Sequence, residues 1–248
     1  MSSETARWFE KHPARGSSSV RLFCVPHAGG SGYPYRAWMS HLPDTVELFG
    51  VRLPGRGPRI AETAFRRMEA LVTALSGAVV EHLDKPFAVL GHSMGALIAF
   101  ELCARLEQRG FKASHLFVSA TRAPHISRTG KPLHLLPRDA FVEELRKFNG
   151  TAPELLEDES MISTFLPLLR ADFELMETYP VRASAPIPCP ITSLGGHGDE
   201  TVTKQELEEW SRYTTRSFRC FMFPGDHFFI TTHAPAVLRT LGETISAI

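Results

Sequence analysis

Residues 86–106, PFAVLGHSMGALIAFELCARL, change character at a single serine. Pro86 opens a short apolar run, PFAVL, of the kind that makes a strand buried on both faces. From Met94 onward, MGALIAFELCARL is built from strong helix formers. Between the two stands Gly91-His92-Ser93-Met94-Gly95, a G-x-S-x-G pentapeptide. Such a pattern arises by chance in about one chain in ten of this length, so spacing alone decides little. Placement decides more. A strand, a tight turn and a helix in direct succession form a nucleophile elbow, in which the serine sits on a strained turn at the end of the sheet. The two glycines let strand and helix approach closely. The same turn puts the Met94 N–H at the helix N-terminus, aimed at a developing oxyanion.

Outward from this segment, short apolar runs alternate with helix-length patterns. Strands are predicted at 20–26, 46–53, 86–90, 116–120, 191–194 and 218–223, and helices at 65–83, 94–108, 204–213 and 235–246. The alternation argues for an α/β fold with a mostly parallel sheet and helices on both faces. With the elbow, it indicates the α/β-hydrolase fold in one domain spanning 1–248. The stretch 137–179 breaks the rhythm: it has no strand pattern and reads as helices at 138–148, 153–157 and 160–179. Leu136, Phe141, Leu145 and Phe148 recur there at helical spacing. An insertion between two strands lies over their C-terminal ends, where ligands bind. It is expected to be a mobile helical lid held by few contacts; the alternative is that it completes the core.

Composition narrows the classes. Lys plus Arg and Asp plus Glu each number 27, so no net charge steers the molecule toward nucleic acid or an anionic membrane. Cys24, Cys103, Cys189 and Cys220 are widely spaced in apolar surroundings, without metal-ligand spacing. They are expected to be free thiols in a reducing cytosol. The polar start MSSETARWFEKHPARG is no signal peptide, and no apolar stretch is long enough to span a bilayer. A cytoplasmic protein without metal, cofactor, membrane or nucleic-acid partner is expected, acting as a monomer.

A serine nucleophile needs a base and an orienting acid. Among eleven histidines, His227 in FRCFMFPGDHFFI follows the last strand and so faces the sheet edge that carries Ser93. His92, His197 and His233 are weaker rivals. For the acid, Asp199 in LGGHGDETV follows the strand ITSL; Glu200 is a weaker alternative, and Asp226 adjoins His227 too closely to orient its ring. The second oxyanion donor is expected from a loop after an early strand. The small, glycine-rich 26–31 (PHAGGS) fits, and the Ala28 N–H is the chosen donor.

Together PHAGGSG at 26–32, LPGRGPR at 53–59, GHSMGA at 91–96, GGHGDE at 195–200 and FPGDHFF at 223–229 resemble the type II thioesterases. These are discrete editing hydrolases that accompany polyketide synthases and nonribosomal peptide synthetases. The resemblance covers nearly the whole chain. It implies hydrolysis of acyl groups from the phosphopantetheine thiol of an acyl or peptidyl carrier protein, which clears stalled or mis-primed assembly lines. The family's serine, acid and histidine match Ser93, Asp199 and His227, and its oxyanion donors match Ala28 and Met94. In many thioesterase domains fused to synthases the acid follows the strand after the nucleophile helix. Here that strand, HLFVSA, runs into Thr121-Arg122-Ala123, which offers no carboxylate.

Two readings of the arginines compete. Arg52, Arg56 and Arg59, with Arg66 and Arg67, form either a cationic patch that docks an acidic carrier or a structure-holding loop. The rival functions are a carboxylesterase or lipase-like hydrolase with the same triad, and a non-catalytic carrier-binding module.

Overall fold

The computed structural model describes residues 7–30, 33–127, 130–147, 158–180 and 185–248. Seven strands join one sheet in the order β1-β3-β2-β4-β5-β6-β7. They are β1 (Phe9–His12), β2 (Val20–Val25), β3 (Val46–Val51), β4 (Phe87–His92), β5 (His115–Ser119), β6 (Ile191–Gly196) and β7 (Phe218–Phe223). All neighbours pair in parallel except β1 with β3. β1 was not legible in the sequence. Its residues, Phe-Glu-Lys-His, are buried only at the two ends, and the two in the middle are charged, as suits an edge strand.

Period-2 geometry divides the core between the two faces. Phe23, Phe49, Val89 and Leu116 enter one apolar cluster, while their chain neighbours Leu22, Leu48, Leu90 and Phe117 enter the other. The first face is covered by α1 (Met68–Val80) and α2 (Met94–Gln108), and the second by Trp38, Leu42 and the C-terminal helix α7 (Ala234–Ile245). Both faces being covered explains why β2, β4 and β5 are buried at every position.

The predicted insertion contains α3 (Arg138–Lys147) and α4 (Glu159–Glu177). Asp158 caps α4 by accepting from the Ser160 and Met161 amides, each at 2.9 Å. The predicted helix at 153–157 and the side chain of Phe148 lie outside the described residues. Ile162, Leu166, Leu169, Phe173 and Met176 form a 3.6-period stripe on α4 and all join the first core cluster. Phe141 and Leu145 of α3 join it too. α4 thus contributes an apolar stripe to the core cluster.

The predicted 204–213 helix is two elements. α5 (Lys204–Glu208) begins with a Thr203/Glu206 capping box, and a 3-10 turn follows over Glu209–Tyr213. Three residues per turn place Trp210 and Tyr213 on one face, and both are buried. A short α6 (Phe229–Thr232) precedes α7.

Candidate active site

The central strand β4 delivers Ser93 to the sheet's C-terminal edge. Ser93 has φ 54° and ψ −116°, a region that a non-glycine residue occupies only when its surroundings impose it. Its N–H donates to the Ser119 carbonyl (2.8 Å), and its carbonyl accepts from Ala96 (3.0 Å). The flanking glycines are required by contact. A Cβ on Gly91 would lie 2.1 Å from the Gly95 carbonyl oxygen, and one on Gly95 would lie 2.2 Å from that of Val25. Met94 opens the fifteen-residue α2 and is fully buried.

The loops after β6 and β7 are tied together. His197 N–H donates to Phe223 O (2.8 Å), and Gly198 N–H donates to Gly225 O (2.8 Å). This tie brings residues far apart in the chain into contact: His227 Nδ1 lies 2.8 Å from Asp199 Oδ2. The Asp199 side chain is fully enclosed. Burial pushes its pKa up, but hydrogen bonds from His227 and Thr201 outweigh burial and hold it below the usual carboxylate value. An ionised carboxylate only accepts, so the Nδ1 of His227 carries the proton and Nε2 is left as the acceptor.

Thr201 was missed in the sequence. Its hydroxyl donates to Asp199 Oδ1 (2.7 Å), its N–H donates to the same oxygen (2.8 Å), and its Oγ1 lies 3.0 Å from His227 Nδ1. A threonine two residues after a loop aspartate is an ordinary turn signal, and only the fold shows that it also reaches the imidazole.

The rivals are placed elsewhere. Asp226 Oδ1 accepts from the Phe228 N–H (2.9 Å) and caps its own turn. His92 is buried, with Nδ1 at 2.9 Å from Ser119 Oγ. His197 and Glu200 are exposed, and His233 Nδ1 sits by Thr232 Oγ1 (3.0 Å). Two further imidazoles surround His227. Burial, then the charges of His227 and Arg56, bring His27 down to about 4. Burial, then His227 and His27, hold His92 well below its ordinary value. Both stay neutral at pH 7.

A cavity of about 470 Å³ opens on Ser93, His227 and Ala28. Its apolar wall includes Leu97 of α2, Leu145 of α3, and Leu169, Phe173 and Met176 of α4. Residues of the insertion thus form part of the cavity wall. Ala28 lies in the loop after β2, where the Gly30 N–H donates back to His27 O (3.0 Å).

The five arginines do not form an open cationic patch. Arg56 is 4% exposed and makes a two-pronged pair with Asp172 at 2.8 and 2.7 Å. Arg59 is buried, donates to Glu62 and to Arg52 O, and stacks over Trp8 at 4.2 Å. Arg52 pairs with Glu10 (3.1 Å). Arg66 and Arg67 are exposed, but both face Glu174. Of the two readings, the structure-holding loop is the one found for Arg56 and Arg59. A charge buried at those sites is tolerated because a carboxylate neutralises it.

Residues 20–245 match the family described as thioesterase domain. The gramicidin S biosynthesis protein GrsT of Aneurinibacillus migulanus is 41% identical over 229 residues, which are 92% of this chain and 90% of that protein. Two solved structures are also similar. The type II thioesterase BorB from the borrelidin biosynthetic cluster superposes with a TM-score of 0.87 at 36% identity, covering 96% of this chain and 97% of that one. YbtT, the type II thioesterase from the yersiniabactin NRPS/PKS pathway, gives 0.84 at 30%, covering 94% and 95%. Fold and match agree that the chain belongs to the thioesterase family, on an α/β-hydrolase scaffold. It is a thioester hydrolase, and its relatives include type II thioesterases of polyketide and nonribosomal peptide pathways.

Proposed function

We propose that Ser93, His227 and Asp199 form a catalytic triad that hydrolyses acyl groups from the phosphopantetheine thiol of a carrier protein, and so clears stalled or mis-primed assembly lines. The observation that supports this best is the enclosed Asp199–His227 hydrogen bond set beside the cavity that Ser93 and His227 share. His227 Nε2 takes the Ser93 proton as the serine oxygen attacks the thioester carbonyl. The Ala28 and Met94 amides stabilise the tetrahedral oxyanion. The C–S bond then breaks, and the imidazolium returns its proton to the departing thiol. Water attacks the acyl-serine with His227 again as base; the acyl C–O bond to Ser93 breaks, the imidazolium returns the proton to the serine oxygen, and the free acid leaves. Every proton transfer is handled by the triad, so this chemistry calls for no metal or cofactor. The relatives' place in assembly-line pathways supports a carrier partner. The four unpaired cysteines fit a reducing cytoplasm.

The test compares an acyl group on a carrier protein, on a short pantetheine analogue, and on the matching oxoester. The expected order of kcat/KM is carrier, then analogue, then oxoester. An oxoester preference would favour the carboxylesterase reading. Ser93→Ala should lower turnover by several powers of ten while the fold persists; a folded variant with near wild-type rates would remove the triad.

A further inference from the structure

Asp172 is a buried carboxylate that the triad does not use. It lies on α4, 2% exposed, in the face turned toward the site. Its Oδ2 accepts from the Gly29 N–H at 2.7 Å and from Arg56 Nη1 at 2.8 Å, while Oδ1 accepts from Arg56 Nη2 at 2.7 Å. Arg56 Nη1 also donates to the Gly30 carbonyl at 3.3 Å. Gly29 and Gly30 directly follow Ala28, the proposed oxyanion donor. The loop is thus gripped at one N–H by the carboxylate and at the next C=O by the guanidinium. Gly29 has φ +72°, and a Cβ there would come within 2.6 Å of Leu169 Cδ2 on the same helix. A two-pronged Arg–carboxylate pair holds direction as well as distance, and the low local dielectric strengthens it.

We infer that Asp172 and Arg56 are positioning residues: anchored on α4, they hold the 27–30 loop so that the Ala28 N–H points at the transition-state oxyanion. This deepens the proposed function and rests on its assignment of Ala28. It gives the arginine of LPGRGPR a catalytic-site task in place of docking. It also couples the inserted helix to the chemistry, because α4 cannot lift away without releasing the Gly29 amide.

The test uses three variants of the full chain. Asp172→Asn keeps the volume and removes the charge. Arg56→Met with Asp172→Leu replaces the whole pair with apolar side chains, a change that buried pairs often tolerate. Arg56→Lys keeps a cation beside Asp172 and leaves the Gly29 bond in place. Each is read by kcat and KM on an acyl-pantetheine analogue. Each is also read by affinity for an alkyl boronic acid, which becomes a tetrahedral anion on Ser93. Asp172→Asn and the double variant are expected to lose about 30-fold in kcat, less than the loss of an oxyanion donor itself, with KM changed by less than about threefold. Boronate affinity should fall by a similar factor, and Arg56→Lys should lose less than about fivefold. If Asp172→Asn does not fold, the double variant is decisive. A folded Asp172→Asn or double variant with kcat and boronate affinity within about twofold of wild type overturns the inference. So does a fall in kcat that leaves boronate affinity unchanged. Ser93→Ala is measured alongside. If it stays active the triad reading fails; if it is dead while the Asp172 variants are normal, only the positioning role fails.

Discussion

At the scale of residues, the site turns on which group orients His227. Asp199 is enclosed and bonded to Nδ1, whereas Asp226 is spent on the Phe228 amide. Asp199→Asn would present an amide that stabilises the wrong imidazole tautomer, and kcat should fall by about 10⁴, as for the equivalent change in other triads. Asp226→Asn should cost less than about tenfold, because an asparagine oxygen still accepts from a backbone N–H. Steady-state rates of the two variants check this, and the reverse order would move the acid to Asp226. Thr201→Val removes only the hydroxyl that braces Asp199. It should lower kcat by about tenfold, a loss of one charge-assisted hydrogen bond partly covered by the Thr201 amide. That Asp199 and His227 would come together was legible in the sequence, because each follows a strand that ends at the same sheet edge. Thr201 and Asp172 were not, since each acts through a partner that lies elsewhere in the chain or across a turn.

At the scale of elements, the elbow and α4 carry the argument. Gly95→Ala would drive a methyl into the Val25 carbonyl, which belongs to the neighbouring central strand and cannot move aside. A loss of about 3 kcal/mol is expected, at the upper end for overpacking, and urea unfolding would measure it. α4 was expected to be mobile, yet it contributes six core side chains and Asp172. Amides in the middle of α4 should therefore exchange nearly as slowly as those of α2. Exchange near the solvent rate across α4 would contradict this packing. The amphipathic period predicted the helix well. It could not show that one stripe does both, joining the core cluster while Leu169, Phe173 and Met176 line the cavity, because either role needs the same apolar spacing.

At the scale of the whole molecule, pH reads the buried histidines. Burial, before any other cause, holds His27 and His115 at about 4, against an ordinary value of 6.5. Between those values the unfolded chain binds protons that the native state refuses. Stability is complete above about pH 6.5 and is lost as pH falls toward 4, by about 1.4 kcal/mol per unit of pKa difference for each group. The urea midpoint should therefore drop between pH 7 and pH 5. His115→Gln keeps a polar partner for Thr192 Oγ1, now 2.8 Å from His115 Nε2, and should flatten that slope; an unchanged slope would show that His115 does not contribute. Reading the residues alone was enough for the α/β class and the strand-turn-helix setting of Ser93. Those depend on local period and on glycines that no other residue can replace. Tertiary structure alone decided what the arginines do. A guanidinium in LPGRGPR looks the same in sequence whether it faces solvent or Asp172, 116 residues further on. Its role is set by the desolvated partner it meets, and that meeting exists only once α4 has folded back over the 26–31 and 53–59 loops.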